Sequence, residues 1–544
     1  MSRKIILFML LAAAFACKRP AGINPEEVIT YTNIEKHVTE LSADKYKGRM
    51  PGSPEEPYII NYIAGQMKEA GLEPANGVSY FQEVPMLKVT GTSSPFLVIE
   101  TPEGRLELAK QADYVSFTRK MEESITLDAS EVVFAGYGIV APEYGRNDFE
   151  GVDVKGKTIL VFVNDPGYGS SCEYFKGNEM TYYGRWTYKF EEAARQGARA
   201  CFIIHETGPA GYGWNVVSNN GEATSLYLMP DDGYASRCGV EGWISLASAE
   251  KLFKDCGMEL SSVKEQAKKP DFRSYALPVT ATASLHNRFD SAVSNNVCGM
   301  IKGKNRPGEV VVYTAHWDHL GVGTPFDGDS IYNGATDNAS AVSWLLEIAR
   351  AFKSGEQPER SLLFLVPTGE ESGLLGSTWY TDHPFFSMDS TVACINTDVI
   401  LFLGLFRDVT LTGYGYSDLD SLVKLMASRF DRYTVPDPNP ENGMFFRSDQ
   451  FPFVKKGIPA IFAKGYTDAV KFGKDKTAEM IADYWKSVYH TPKDEYVPGR
   501  DNLSGLAEDA RLFYMVGSEL ANTGFWPQFN ENSGFRDVSP SRPR

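Results

Sequence analysis

The chain has 544 residues, of which 43% are hydrophobic and 23% charged, a composition typical of a globular protein with a large core. Its formal net charge of −16 argues against a nucleic-acid partner, because binding to phosphates requires clustered Lys and Arg side chains and the sequence contains no such run. The length is enough for about three to four domains.

The first residues have the pattern of a targeting segment. After two basic residues, an apolar run from 5 to 16 is too short to cross a bilayer, and small residues lead directly to Cys17. This order is typical of a bacterial lipoprotein signal that is cleaved before Cys17 and lipidated on its sulfur, although Ala14 stands where Leu is usual. An ordinary secretory signal cut near Ala16 is the alternative. We expect residues 1–28 to be a signal peptide and tether of an exported protein.

If Cys17 is lipidated, the protein is attached to the bacterial cell envelope, in the periplasm or at the outer membrane; otherwise it is secreted. We expect no membrane contact except through that lipid, since no later stretch is long and apolar enough to span a bilayer. Export permits disulfides, and a Cys172–Cys238 pair is one candidate. In contrast, Cys201, Cys298 and Cys394 lie in apolar, strand-like runs and are expected to be small core residues.

Helix-like and strand-like patterns follow in chain order. Apolar residues at helical spacing predict helices over 33–41 and 55–70, and a strand begins at Tyr80. Beyond about Val115 come strands ending in glycines, a loop rich in Tyr and Gly, a helix over 186–196 and a polar, Lys-rich tail near 264–269. This change of pattern indicates a compact separate module in the middle of the chain.

The second half begins with a strand that ends in metal-binding side chains. The run from Val310 to Thr314 is apolar and β-branched, and His316, Asp318 and His319 follow it. Four later segments also place acids or histidines where a periodic run stops: Thr336-Asp337-Asn338, Gly369-Glu370-Glu371, Asn396-Thr397-Asp398 and Tyr489-His490. Each alone could be a helix cap, a solvated pair or a structural histidine. Together they predict a metal site, because the carboxyl ends of parallel strands meet at one edge of a sheet.

Strands and helices alternate through this half, which predicts an α/β fold with a mostly parallel sheet sandwiched by helices. The predicted elements are a helix over 338–352, strands over 361–366, 392–398, 409–413 and 458–462, and a helix over 503–521.

In this order, the motifs resemble those of the co-catalytic di-zinc aminopeptidase family of the bacterial leucyl aminopeptidase type, which is related to glutamate carboxypeptidase and the transferrin receptor. The resemblance extends from about residue 33 to 530 and implies the zinc aminopeptidase (phosphorylase-like) fold with an inserted, β-rich protease-associated domain. The implied domains are an N-terminal part of the catalytic domain, the inserted domain, the rest of the catalytic domain and a C-terminal tail, at 29–112, 113–285, 286–530 and 531–544.

The resemblance also implies two zinc ions per chain, for which cobalt or manganese could substitute. His316 and Asp398 would bind one ion, and Glu371 and His490 the other. Asp337 would bridge the two ions. Mixed nitrogen and oxygen ligands that leave room for a water are the open arrangement that catalysis requires.

Further roles follow from the same resemblance. Glu370 would be the general base. Asp318 would orient His316 through its second ring nitrogen, and Tyr489 would donate a hydrogen bond to the developing oxyanion. The family also has a cis peptide bond after the bridging aspartate, so we expect one here.

Several neighbours of these motifs are open to two interpretations. His319 is adjacent to the site, but the family does not use that position as a ligand, so we expect a structural role. Arg447-Ser448-Asp449 matches a family loop near the substrate pocket; Asp449 could orient Arg447 or a substrate, or simply stabilise its loop. Residues 324–329 are expected to form a loop at the rim of the pocket.

These assignments predict an exported zinc metallo-aminopeptidase that acts on peptides; its oligomeric state and side-chain preference remain open. The alternatives on the same fold are a carboxypeptidase or a glutaminyl-cyclase-like enzyme with one zinc. A non-catalytic, receptor-like binding protein is the alternative from another class. The intact set of ligands together with Glu370 favours an enzyme over a receptor.

Overall fold

The computed structural model describes residues 24–170, 174–220, 224–531 and 533–538. The predicted signal peptide up to residue 23, with Cys17, lies outside the described residues, as do Cys172 and half of the predicted C-terminal tail. Among the helices of the described residues, none is both long enough and apolar enough to cross a membrane.

The helices of the described chain are α1 (Pro25–Val28), α2 (Tyr31–Leu41), α3 (Glu56–Ala70), α4 (Trp186–Arg195), α5 (Thr207–Ala210), α6 (Trp214–Asn220), α7 (Leu246–Asp255), α8 (Leu260–Ala267), α9 (Ser340–Ser354), α10 (Leu375–Asp382), α11 (Leu419–Ser428), α12 (Gln450–Lys455), α13 (Gly473–Ser487) and α14 (Ser504–Asn522). The strands are β1 (Glu73–Pro74), β2 (Phe81–Ser93), β3 (Phe96–Thr101), β4 (Gly104–Ala109), β5 (Tyr114–Phe117), β6 (Ser124–Phe134), β7 (Val140–Ala141), β8 (Arg146–Asn147), β9 (Thr158–Phe162), β10 (Ala200–Ile204), β11 (Ser225–Leu228), β12 (Val240–Ile244), β13 (Tyr275–Ile301), β14 (Arg306–Thr314), β15 (Gly321–Phe326), β16 (Asp329–Tyr332), β17 (Arg360–Val366), β18 (Thr391–Asn396), β19 (Asp408–Leu411), β20 (Tyr433–Pro436) and β21 (Ala460–Lys464).

Four neighbouring strands form the parallel centre of the main sheet. β14 pairs in parallel with β17 on one side and β18 on the other, and β18 pairs in parallel with β21. Antiparallel strands flank this centre, with β13 beside β17 and β19 beside β21. The predicted α/β class with a mostly parallel sheet is therefore confirmed.

Helices cover both faces of this sheet. Because successive side chains of a strand point to opposite faces, Val311 and Tyr313 of β14 pack in one apolar cluster with residues of α9 and α14. Val310 and Val312 pack in another cluster with Tyr380 of α10 and Phe453 of α12. A strand that is buried on both faces reads as a continuous apolar run, which is why β14 is recognisable in the sequence.

A second group of strands forms the middle module. β6, β9, β10 and β12 pair in parallel, and β5 adds to β12 in antiparallel orientation. Their buried side chains form two clusters of their own, one of which also takes in Leu97 and Leu106 of β3 and β4. The long strand β13 connects the module to the main sheet, because its first half pairs with β6 and its second half with β2. The predicted domain limits themselves stay predictions.

Most predicted elements match the observed ones within a few residues, two predicted segments differ in type, and some helices, among them α13, were not predicted. The expected rim loop is a hairpin, β15–β16, whose turn residues Asp327 and Gly328 both have positive φ; such an Asp-Gly pair is a hairpin signal. The expected polar tail near 264–269 is largely helix α8. The sequence pattern does not predict helix α13. This helix buries little more than Thr477 and Tyr484 and therefore lacks an apolar stripe.

Helix α14 approaches β14 so closely that it requires a glycine. A Cβ atom on Gly517 would lie 1.6 Å from Oη of Tyr313, whose hydroxyl donates to Phe513 O at 2.8 Å.

We expect Gly517→Ala to lower the free energy of unfolding by about 3 kcal/mol, since overpacking outweighs the helix propensity of alanine. The matched control is Gly65→Ala in α3, where nothing lies within 4 Å, and a gain of up to about 1 kcal/mol is expected. Urea denaturation measures both, and equal stability of Gly517→Ala and wild type would contradict the packing argument.

Candidate metal centre

The predicted ligand residues converge at the carboxyl edge of the parallel strands. His316 follows β14, Glu371 follows β17 and Asp398 follows β18. Asp337 precedes helix α9, and His490 follows helix α13. The three parallel strands end side by side, so residues that lie far apart in the sequence meet in one buried place.

The first cluster is formed by His316, Asp337 and Asp398, whose potential ligand atoms all lie within 4.8 Å of one another. Nε2 of His316 is 3.3 Å from Oδ1 of Asp398 and 3.5 Å from Oδ1 of Asp337. All three residues are buried.

The second cluster lies on the other side of Asp337. Nε2 of His490 is 3.4 Å from Oδ2 of Asp337 and 3.1 Å from Oε2 of Glu371. The two oxygens of Asp337 thus face two different imidazoles, His316 and His490. This is the arrangement expected of a carboxylate that bridges two cations.

His319, which the sequence analysis set aside as a neighbour, also lies in the second cluster. Its Nδ1 is 2.6 Å from Oε1 of Glu371, and it groups with Asp337 and Glu371 as a potential ligand. Its ring is fully buried and lies edge-on to His490, with centroids 5.6 Å apart. His319 therefore either holds the Glu371 carboxylate in place or offers an additional nitrogen to a cation.

The chemistry of the site fits divalent metal ions such as zinc. Oδ1 of Asp337 and Nε2 of His319 are buried and have no hydrogen-bond partner among the described residues, and Nε2 of His490 is buried without a well-aligned hydrogen bond to the carboxylates beside it. Buried polar atoms are normally satisfied, so three unsatisfied potential ligand atoms in one place call for an additional partner. Imidazole and carboxylate donors without thiolate suit zinc, with cobalt or manganese as substitutes.

The segment that carries Asp337 has an unusual backbone. The peptide bond between Asp337 and Asn338 is cis, as the resemblance predicted. Gly334, just before it, has φ of 56°, and a Cβ there would lie 2.0 Å from the carbonyl oxygen of Asp337. Only glycine can occupy that position, which fixes how the segment folds back on itself.

Asp318 lies beside His316, but its contacts differ in detail from the expected one. Nδ1 of His316 is 3.1 Å from the backbone carbonyl oxygen of Asp318 and 3.7 Å from its carboxylate. The carboxylate accepts hydrogen bonds from the backbone N–H groups of Glu370 at 3.1 Å and Glu371 at 3.3 Å. Asp318 thus contacts the imidazole through its carbonyl and holds the Glu-Glu segment through its side chain.

Glu370 and Glu371 are adjacent but sit in opposite electrostatic environments. Burial raises the pKa of Glu370 well above its ordinary value, the His316 charge opposes this, and Asp398 and Glu371 add to it. Burial by itself would also raise the pKa of Glu371. The charges of His490 and His319 outweigh this effect and hold the pKa of Glu371 well below the ordinary value. Neighbouring carboxyls with pKa values pushed apart are typical of an acid–base group beside an ionised one.

Arg49 supports the site in a way that the sequence did not reveal. Its buried guanidinium donates to the backbone carbonyls of both ligand-bearing segments, including Trp317 O at 2.8 Å and Gly334 O at 2.9 Å. It also donates to Asp337 O at 3.3 Å and to Leu41 O at 3.0 Å. Arg49 therefore fixes the β14 end against the Asp337 segment. Nothing in the turn-rich sequence around it signals such contacts.

Asp494 is a second support that the sequence analysis missed. Its carboxylate oxygens accept hydrogen bonds from the backbone N–H groups of Thr336 at 2.9 Å and Asp337 at 3.0 Å. Because Asp494 lies on the same loop as His490, these bonds hold that loop against the Asp337 segment. Tyr489, also on this loop, stacks on His490 with ring centroids 3.7 Å apart.

We expect Asp494→Asn to lower zinc affinity by about tenfold to a hundredfold, because the amide can accept only through one atom and its NH2 group would face a backbone N–H. A competitive titration against a metal-binding dye measures the affinity. Asp475→Asn on the exposed side of α13 is the matched control and should bind zinc like wild type. Unchanged affinity in Asp494→Asn would show that this loop needs no such support.

Comparison with known sequences gives one family match. Residues 296–504, less than half of the chain, match the model of Peptidase family M28. The matched region contains all of the residues that converge at the candidate metal centre.

Similar proteins include aminopeptidases from distant organisms. Aminopeptidase NAALADL1 from Mus musculus is 35% identical over 147 residues, which is 26% of this chain and 18% of the mouse protein. Aminopeptidase YwaD from Bacillus subtilis (strain 168) is 37% identical over 252 residues, 45% of this chain and 40% of the Bacillus protein. The aligned part thus spans less than half the length of these relatives. Among solved structures, an aminopeptidase from Aneurinibacillus sp. strain AM-1 has a TM-score of 0.49 at 18% identity and covers 92% of this chain and 97% of its own.

Proposed function

We propose that the protein is an exported zinc aminopeptidase that removes N-terminal residues from peptides. The carrying observation is the meeting of His316, Glu371, Asp398 and His490 around the carboxylate of Asp337, with the Glu370 carboxylate at the edge of the first cluster. The family match over residues 296–504 and the aminopeptidase names of the similar proteins support the same activity.

In this proposal two zinc ions are held as the resemblance implies. His316 and Asp398 would hold one ion, Glu371 and His490 the second, and Asp337 both. Bound zinc would supply Lewis-acid polarisation of the scissile carbonyl and a lowered pKa for water.

Glu370 is the general base of the proposal. Its Oε2 lies 3.8 Å from Nε2 of His316, at the edge of the first cluster, and its carboxylate accepts no hydrogen bond from the described residues. It takes the proton of the attacking water and passes it to the amine that leaves when the C–N bond breaks. The Asp318 carboxylate holds the backbone of this segment, so the base keeps its direction.

Tyr489 is the proposed donor to the oxyanion that forms on the substrate carbonyl. Burial raises the pKa of its phenol well above the ordinary value, and the charges of Asp337 and Glu371 raise it further. The hydroxyl therefore keeps its proton at neutral pH and can donate it in a hydrogen bond.

The remaining parts of the proposal concern location and the middle module. We propose a lipid on Cys17 that tethers the enzyme in the bacterial envelope, and a protease-associated character for the module. The support for the first is the order of basic, apolar and small residues before Cys17. The support for the second is the module's place between the N-terminal helices and the metal strand.

We expect Glu370→Gln to retain its metal and to lose about 10³-fold in kcat on aminoacyl-nitroanilides, because the amide cannot accept the proton. Elemental analysis of the purified variant measures the metal content. The control is Glu356→Gln, an exposed substitution that should leave both properties as in wild type. Turnover by Glu370→Gln at the parental rate would exclude the proposed base.

Metal counting and substrate choice separate the activities that this fold can carry. Native mass spectrometry with elemental analysis should show two zinc ions per chain, and activity should vanish on chelation and return with zinc. Substrates with a free amino terminus should be cleaved, and N-blocked peptides should not. One zinc per chain would favour a cyclase-like enzyme, and cleavage of blocked peptides alone would favour a carboxypeptidase.

A further inference from the structure

Asp449 is a buried aspartate whose carboxylate makes a single hydrogen bond. The residue is 0% exposed, and its Oδ1 accepts a hydrogen bond from Oγ of Ser377 at 2.6 Å. Its Oδ2 is buried and has no hydrogen-bond partner among the described residues. In the described part of the chain no hydrogen bond or ion pair joins Asp449 to Arg447, whose Nε also lacks a partner, so Asp449 does not orient that arginine.

This sparse bonding differs from that of another fully buried carboxylate in the same domain. Asp408 is also 0% exposed, but its two oxygens accept hydrogen bonds from Thr410, Thr467 and Asp468. A buried carboxylate with only one hydrogen bond lowers stability, because its oxygens lose their hydration without replacement. Proteins retain such unfavourable groups mainly where function requires them. The question is therefore what the bond between Asp449 and Ser377 does.

Ser377 lies in the first turn of helix α10, which begins directly after the Glu-Glu segment. Leu374, the residue before this helix, has φ of 60° and offers no side-chain cap. The backbone N–H groups of Gly373 and Leu374 donate to Glu370 O at 2.8 Å and 2.9 Å. A positive φ is uncommon outside glycine, so this turn needs support from the residues around it.

The Ser377 hydroxyl supplies that support together with Asp449. Its Oγ lies 3.3 Å from Leu374 O and 2.6 Å from Oδ1 of Asp449. A hydroxyl has one proton to donate, and a hydrogen bond to an ionised oxygen is both shorter and stronger than one to a carbonyl. Asp449 is therefore the main acceptor, and its bond holds the start of α10, to which the turn of Glu370 is joined.

The two neighbours of Asp449 in the sequence hold the end of strand β18. Oγ of Ser448 donates to Oδ2 of Asp398 at 2.9 Å. Nδ2 of Asn396 donates to Oγ of Ser448 at 2.9 Å and to Oε1 of Gln450 at 2.7 Å. Three consecutive residues thus contact both a potential ligand of the first cluster and the helix that follows the Glu-Glu segment.

We propose that Asp449 is a positioning residue that acts through Ser377 and holds the turn of Glu370 and Glu371 in a fixed place relative to Asp398. A misplacement of about 1 Å at a catalytic site can lower the rate about a hundredfold, so a base and a metal ligand on separate segments need such a connection. The inference rests on the proposed peptidase function and deepens it.

Variants on either side of the hydrogen bond test the proposal. Asp449→Ala and Ser377→Ala should each lower kcat on aminoacyl-nitroanilides about tenfold to a hundredfold and leave KM within about twofold, because a displaced base loses transition-state stabilisation alone. The double variant should be no more than about twofold slower than the slower single variant, since all three lack the same bond. Asp449→Asn keeps an oxygen acceptor for Ser377 and should regain most of the lost kcat.

The control variant is Ser428→Ala in α11, which removes an exposed hydroxyl that donates to Leu425 O at 2.7 Å. Its kcat and KM should equal those of wild type. A wild-type kcat in both Asp449→Ala and Ser377→Ala, or effects that multiply in the double variant, would overturn the proposal.

Thermal unfolding separates positioning from a purely structural role. Asp449→Asn should unfold at or above the midpoint of wild type, because the amide removes a buried charge that is poorly compensated. Lower midpoints in Asp449→Asn and Ser377→Ala together with an unchanged kcat would make the bond purely structural and would overturn the proposal.

Zinc binding gives a readout that does not depend on peptide hydrolysis. Glu371 lies on the same turn as Glu370, so Asp449→Ala and Ser377→Ala should each bind zinc about tenfold more weakly, whereas Ser428→Ala should bind it like wild type. Competition with a metal-binding dye in the chelator-treated full chain measures these affinities.

The two readouts together distinguish a failure of this inference from a failure of the proposed function. A wild type that hydrolyses no peptide, with zinc affinities that follow the expected pattern, would refute the peptidase function and retain the positioning role. A wild type that hydrolyses peptides, with neither kcat nor zinc affinity changed in Asp449→Ala and Ser377→Ala, would retain the function and refute the positioning role.

Discussion

The position of Asp337 is the constraint on which the candidate site depends. Its backbone N–H is held by Asp494 and its carbonyl by Arg49, while its two carboxylate oxygens face the imidazoles of His316 and His490. A carboxylate can face both clusters only if its backbone is held firmly in place. A displacement of about 1 Å is enough to lower the rate at a catalytic site severely. Arg49 lies in the N-terminal segment and Asp494 in the last loop before α14. Residues from both ends of the main domain therefore hold this one residue in place.

The electrostatics of the site follow from the same arrangement. Asp318, Asp337, Glu370, Glu371 and Asp398 are brought together in a largely buried volume, where their mutual repulsion opposes folding. Arg49 offsets part of this repulsion, but its donors are directed at carbonyl oxygens and not at the carboxylates. Divalent cations would remove the remaining repulsion, so metal binding would stabilise the fold through the same groups that are proposed to carry out the chemistry.

How much could be predicted from the sequence depends on whether a feature is local. β14 and the residues that follow it are recognisable because a doubly buried strand is a continuous apolar run, and the cis peptide after Asp337 followed from the resemblance. Arg49 and Asp494 were missed because a side chain that bonds to distant backbone atoms leaves no periodic pattern. His319 was set aside on the resemblance alone, and only the structure shows its nitrogen 2.6 Å from Glu371. Helix α13 lacks the apolar stripe by which the other long helices are found.

The same distinction separates the chemistry of the site from the recognition of its ligand. The parallel strands fix the metal-binding side chains, and any protein with this sheet can place such residues at its carboxyl edge. The surfaces beside the site come instead from loops and from the module, whose Tyr212 ring centre lies 5.9 Å from the guanidinium carbon of Arg447. Tyr212 packs against a cluster of the module, whereas β14 packs in a different cluster with α9 and α14. Because the module packs around clusters of its own, its loops can change without displacing the residues at the carboxyl edge of the parallel strands.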